Sequence, residues 1–147
     1  MRLVLVSAES AAGRITRVVL GVELADDPLF PLPSLADIRL ATNASAALVS
    51  VTPGPALTDS QHALVQGDSG DPWFPLGASA WQLLVLSGAP QQRMHAGLVA
   101  TLVFSLDDPG PAGFSFIRRR DTFSPATADL ALQRSAYDGS VVVVAAP

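Results

Sequence analysis

Gly97-Leu98-Val99-Ala100-Thr101-Leu102-Val103-Phe104-Ser105-Leu106 decides the fold class. Leu98, Ala100, Leu102, Phe104 and Leu106 fall on one side of an extended chain, and Val99, Thr101, Val103 and Ser105 on the other. An apolar residue at nearly every position predicts an interior strand covered on both sides, unlike the half-polar alternation of a strand facing water. The same period of two runs outward through the sequence. In 14–24, Thr16, Val18, Leu20, Val22 and Leu24 share a face. In 81–87, Trp81, Leu83 and Val85 alternate with Gln82, Leu84 and Leu86, again apolar on both sides.

Weaker strand candidates are 3–6, 36–41, 47–51, 61–66, 113–118, 128–134 and 140–145, while 44–50 could instead form a short helical turn. Turn residues divide them: Asp26-Asp27-Pro28, Thr52-Pro53-Gly54-Pro55, Gly67-Asp68-Ser69-Gly70-Asp71-Pro72, Asp107-Asp108-Pro109-Gly110-Pro111 and Asp138-Gly139. Many short strands separated by Gly/Pro turns describe an all-β sandwich or barrel. The length of 147 residues fits one domain spanning 1–147. Its 49% hydrophobic content supports a packed core and excludes a disordered tail. Twelve prolines and 11 glycines argue against long helices.

All nine basic residues are Arg, and the formal net charge is −4, so binding to a phosphate backbone is disfavoured. The one basic run, Arg118-Arg119-Arg120, reads as a solvated strand end, with Arg118 kept as a candidate contact to an anion or a partner. With no cysteine there is neither a disulfide framework nor a thiolate metal site. No apolar run reaches the ~20 residues of a membrane helix. The opening Met1-Arg2-Leu3-Val4-Leu5-Val6-Ser7 reads as a first strand, its apolar stretch being too short for a signal peptide.

Gly67-Asp68-Ser69-Gly70 is similar to the loop around the nucleophilic serine of trypsin-like proteases. That chemistry needs a base and an orienting acid in one geometry. Only His62 and His95 are present, Asp71 replaces a glycine of the usual run, and the chain is too short for two barrels. A Gly/Asp turn is therefore expected there, and no catalytic residue or cofactor. Asp68 with Asp71, and Asp107 with Asp108, could furnish oxygen ligands to calcium. Neither pair has the spacing of a calcium loop, so turns are expected at both and no metal site is assigned. Trp73-Phe74, between Pro72 and Pro75, stands outside the alternating pattern. The pair could stack on a sugar or anchor a protein partner, or fold back to cap one end of the sandwich. Trp81 is expected in the core. Asn43-Ala44-Ser45 matches a glycosylation acceptor, a triplet common by chance.

The order of segments resembles cohesin-like domains. Ala36-Asp37-Ile38-Arg39-Leu40 followed by Ala47-Leu48-Val49-Ser50-Val51-Thr52-Pro53-Gly54 is similar to their early strand, crossover and Pro-Gly segment. Trp81–Ser87 looks like their central strand, 97–106 like their Gly-x-hydrophobic-Ala-x-hydrophobic-x-Phe strand, and 138–143 like their closing strand. The likeness covers roughly residues 15–145. The chain departs from the pattern at Asn43-Ala44-Ser45, where an Asp-Pro pair often precedes the crossover, and in the extra stretch 25–35.

The resemblance implies a nine-stranded antiparallel jelly-roll sandwich of two sheets, shared with several cellulose-binding modules, and no catalysis. It implies recognition of a dockerin-type protein module through one sheet face, in an extracellular or cell-surface assembly. A polysaccharide is the alternative ligand, and Trp73, Phe74 and Arg118 are the candidate ligand-binding residues. A structural role is a further possibility, with apolar edge strands such as 140–145 pairing between chains.

Overall fold

In the computed structural model, residues 1–26, 28, 32–67, 79–89, 92–116 and 140–143 are described. They form nine strands: β1 (Arg2–Ala11), β2 (Arg14–Leu24), β3 (Ala36–Thr42), β4 (Ala46–Pro53), β5 (His62–Gly67), β6 (Ser79–Ser87), β7 (Gly97–Asp108), β8 (Ala112–Phe116) and β9 (Ser140–Val143). One four-residue helix, α1 (Pro55–Thr58), follows β4. The strands make two antiparallel sheets, ordered β1-β2-β7-β4 and β5-β6-β3-β8-β9. Taking the strands in sequence, five successive steps cross between sheets: β2 to β3, β3 to β4, β4 to β5, β6 to β7 and β7 to β8. The all-β sandwich expected from the periodicity is the fold, and the described residues make the nine strands in two sheets that the resemblance implies.

The core lies between the sheets and is built from both. Phe104 of β7 is fully buried and reaches across to β6 and β8. Its ring centroid lies 4.8 Å from that of Trp81, at 61° between planes, and 5.0 Å from that of Phe114, at 43°. Such edge and tilted contacts suit the quadrupoles of the rings. Val18, Leu20 and Val22 of β2 and Ile38 and Leu40 of β3 are likewise inaccessible. Trp81 is half-buried and packs on this cluster.

β6 and β7 are interior strands, as their composition predicts, each hydrogen-bonded on both sides. Their outer faces nevertheless meet solvent: Leu86 is 46% exposed and Ser105 is exposed. With only two layers, each strand has just one face for the core. The strict alternation also breaks at register shifts, where Val6, Thr16, Val49 and Val99 stand as extra residues against the neighbouring strand. A bulge of this kind changes which residues point inward. Thus Ile15, not Thr16, fills the core at the start of β2, and Val99 is fully buried although its alternation assigns it outward.

The proposed helical turn at 44–50 is absent: Asn43 and Ala44 make a bend and β4 begins at Ala46. The helix falls instead at Pro55–Thr58, starting on the last residue of the stretch 52–55 read as a turn. Pro55 occupies its first position, where the missing N–H costs nothing. The candidate strand 128–134 lies outside the described residues. β1 and β2 are joined by Ala12 and Gly13, both left-handed at φ 51° and 75°, the geometry of a tight hairpin turn.

Gly54 is where α1 meets β7. Its N–H donates to the Val99 carbonyl at 2.8 Å, and a Cβ there would stand 2.2 Å from the Leu98 carbonyl oxygen. Two opposite glycine substitutions follow from these geometries. Gly54→Ala forces backbone apart and is expected to cost about 3 kcal/mol or more. Ala12→Gly relieves a left-handed alanine and is expected to gain about 0.5–1 kcal/mol. Denaturant titration of both variants checks the pair, and equal effects would contradict the geometry.

Candidate functional sites

The outer face of the four-stranded sheet is assembled by cross-strand register. One row runs Val4, Gly21, Thr101, Thr52, and the next Ser7, Val19, Val103, Ser50. A third runs Glu9, Arg17, Ser105, Ala47. The central valines and Thr101 are half-buried, whereas Ser7, Ser50 and Thr52 are exposed. Charge is confined to the two ends of the face. Arg2 pairs with Glu23 at 2.7 Å at one end, and Arg17 with Glu9 at 3.6 Å at the other. Beyond the latter, Arg14 donates to both oxygens of Asp107 at 2.9 and 3.0 Å. That hydrogen bond and the Asp107 charge hold the Arg14 guanidinium proton more firmly than usual. These exposed pairs add little stability. What they do is neutralise the rim.

Gly21 gives this face a dip. A Cβ placed there would sit 3.4 Å from Leu98 Cδ1 and 3.5 Å from Val6 Cγ2. The bulges at Val99 and Val6 thus coincide with an apolar pair flanking the glycine. The centre of the face is uncharged, shallow and lined by β-branched and hydroxyl side chains.

The outer face of the five-stranded sheet is different. Asp37 and Arg39, two apart on β3, project to the same side and pair there. Arg39 Nη2 donates to Asp37 Oδ2 at 3.0 Å, and its Nε lies 3.2 Å from each carboxylate oxygen. Gln82, opposite Arg39 on β6, donates from Nε2 to Asp37 Oδ1 at 3.0 Å. The Arg39 and Asp37 side chains are only 10% and 7% exposed. Around them stand Leu84, half-buried, and Val65 and Leu86, 44% and 46% exposed. The i, i+2 pattern Asp37-x-Arg39 was visible in the sequence, but its burial depends on the partner strand.

At one end of the sandwich His62 and Ser60 come together, Ser60 Oγ lying 2.8 Å from His62 Nδ1. This is not the serine–base arrangement considered for Ser69, which lies outside the described residues. Ser60 is fully buried and its hydroxyl also contacts the Ala56 carbonyl at 2.6 Å. His62 Nε2 is occupied by the carbonyls of Ser34 and Gln92 at 3.0 and 3.1 Å. His62 is therefore tied into the fold rather than presented to a substrate.

Trp73, Phe74 and Arg118, the candidate ligand contacts, lie outside the described residues, as do Asp68 and Asp71. Asp107 is tied to Arg14, and Asp108 Oδ1 accepts the Gly110 N–H at 2.8 Å in a turn. No cluster of three or more metal-ligating side chains occurs among the described residues. Asn43 Oδ1 accepts the Gly113 N–H at 2.7 Å, so the glycosylation-like triplet has a local structural use. No helix among the described residues is long and apolar enough to cross a membrane. No family model matches the chain, and no curated protein matches it.

Removing Asp37 takes away the carboxylate bonded by the Arg39 guanidinium and the Gln82 amide. Asp37→Ala is expected to cost about 3 kcal/mol. The double substitution Asp37→Val with Arg39→Val recovers part of that loss, because β-branched residues suit a strand and both charges of the pair are removed together. A double-mutant cycle by chemical denaturation tests this, and strictly additive losses would rule out the coupling.

Proposed function

We propose that this chain is a non-catalytic binding module that recognises a protein partner through the outer face of its four-stranded sheet. The reading follows the cohesin-like order of its segments, which implies a dockerin-type module as partner and an extracellular or cell-surface setting. One observation supports a protein ligand over a sugar. All four described aromatic residues, Trp81, Phe104, Phe114 and Phe116, belong to the core or pack against it. The outward rows of the four-stranded sheet carry no ring. A flat sugar-binding face relies on stacking platforms, whereas charge depleted at the centre and polar groups kept to the rim match the layout of a protein interface. Polysaccharide binding would have to depend on Trp73 and Phe74.

Surface binding to a panel of dockerin-type modules, with polysaccharide affinity electrophoresis in parallel, separates these ligands. A dockerin-type module is expected to bind the wild-type chain. Thr101→Arg and Ser50→Arg should each weaken it about tenfold or more, about 1.4 kcal/mol, with unchanged melting temperature. Retardation by a polysaccharide that disappears in Trp73→Ala would overturn the assignment in favour of a carbohydrate ligand.

A further inference from the structure

Among the described residues, β1 and β4 edge the four-stranded sheet, and β5 and β9 the five-stranded one. β5 is unlike the other three. β1 and β4 each carry a register shift; β1 adds Arg2 and Glu9, and β4 ends in Pro53. β9 is described over four residues and lies against β1. β5 runs His62-Ala63-Leu64-Val65-Gln66-Gly67 in unbroken register with β6, and it contains no Pro, Asp, Glu, Lys or Arg. Among the described residues its backbone bonds to β6 alone, which leaves the row of amides and carbonyls along its other side without a strand partner. Shifted register, charge and proline are the usual means of keeping an edge from pairing with another chain, and β5 has none of them. Its side chains alternate: Leu64 packs against the core, while Ala63 is exposed and Val65 is 44% exposed on the outer face.

We propose that β5 is a dimerisation edge: two copies of this chain pair β5 antiparallel with β5 about a two-fold axis at Val65, joining their five-stranded sheets into one. Such a contact sets each side chain against a symmetry-related one, so a charge near the axis would oppose its like. β5 meets this condition. Val65 falls opposite Val65, Ala63 opposite Gly67 and Leu64 opposite Gln66, every pair uncharged. An axis normal to the sheet also keeps outer face beside outer face, which requires the opposed residues to share a face. Centring on Val65 satisfies that. Val65 pairs with Leu84 on β6, so the row read across the joint is Leu84, Val65, Val65, Leu84, a continuous apolar strip that covers the exposed valine. A like copy needs no selecting charge, and β5 offers none. Six residues of pairing make a small contact, so the dimer forms and dissociates with concentration.

Analytical ultracentrifugation of the full chain over a concentration series is expected to show a monomer–dimer equilibrium. Val65→Lys sets two ammonium groups face to face at the axis and should weaken the dimer about tenfold or more, with the melting temperature of dilute protein unchanged. Val142→Lys, at a 64% exposed position on β9, should leave the dimer intact. Crosslinking tests the register independently. The chain has no cysteine, so Val65→Cys introduces a single thiol. Opposed residues of an antiparallel pair stand about 4.5–5.5 Å apart at Cα, within disulfide reach. Mild oxidation should therefore convert Val65→Cys chains into covalent dimers and leave Val49→Cys chains, with the thiol on the β4 edge, mostly unlinked. A monomer at every concentration would overturn the proposal. So would a dimer that survives Val65→Lys, one broken by Val142→Lys, or one that links in the Val49→Cys chain instead. If Val65→Lys does not fold, the two crosslinking variants decide the matter alone.

Discussion

The two sheets are held in register by one ring. Phe104 passes from the four-stranded sheet into the gap between Trp81 and Phe114 of the other, and it is completely buried there. A strand's side chains alternate, so a residue committed to the interior commits its neighbours two away and sends those between them outward. Phe104 therefore carries Leu102 and Leu106 inside and presents Val103 and Ser105 to the outside. Cross-strand pairing passes that assignment to Val19 and Arg17 on one flank and Ser50 and Ala47 on the other. The outward surface is thus a by-product of the inward packing, and no separate interaction is needed to arrange it.

How far the fold was legible follows from the same logic. Strands with strong period-two signals are found where their residues place them: 14–24 as read, and the stretch 97–106 within β7. The first strand was legible only within Met1–Ser7, its apolar part at 3–6, although it runs from Arg2 to Ala11. Residues 7–11, Ser-Ala-Glu-Ser-Ala, have little apolar content and depend on the hairpin partner for their extended state. The turn at Ala12-Gly13 lacked the Asn-Gly or Asp-Gly signature that would have marked it. Inward and outward assignments failed at Thr16 and Val99 because a bulge is a property of two strands together. A single chain's periodicity does not contain it. The sites were less legible still: the Asp37–Arg39–Gln82 cluster needs the pairing of β3 with β6, and the bonds of His62 need three segments distant in sequence.

The two sheets expose unlike surfaces. One has an uncharged centre of valines, threonines and serines with ion pairs at its ends. The other holds an almost completely covered carboxylate–guanidinium pair with aliphatic side chains beside it. Covering a neutral hydroxyl-lined face requires removing few strongly bound waters, whereas an ion pair held in place trades hydration for fixed geometry. The first favours contact through shape and apolar area. The second contributes to the internal order of its own sheet.

Both rims of the four-stranded sheet are interrupted. β1 carries its extra residue at Val6 and β4 at Val49, and these valines are 59% and 63% exposed. A second molecule trying to lengthen this sheet would find neither rim offering an unbroken row of amides and carbonyls, and would meet a protruding branched side chain on each. Growth of the sheet into a fibre is obstructed at both sides by the irregularities that also shape its surface. A protein with so many β-branched residues can in this way keep a broad face open to solvent without its rims acting as templates for like copies.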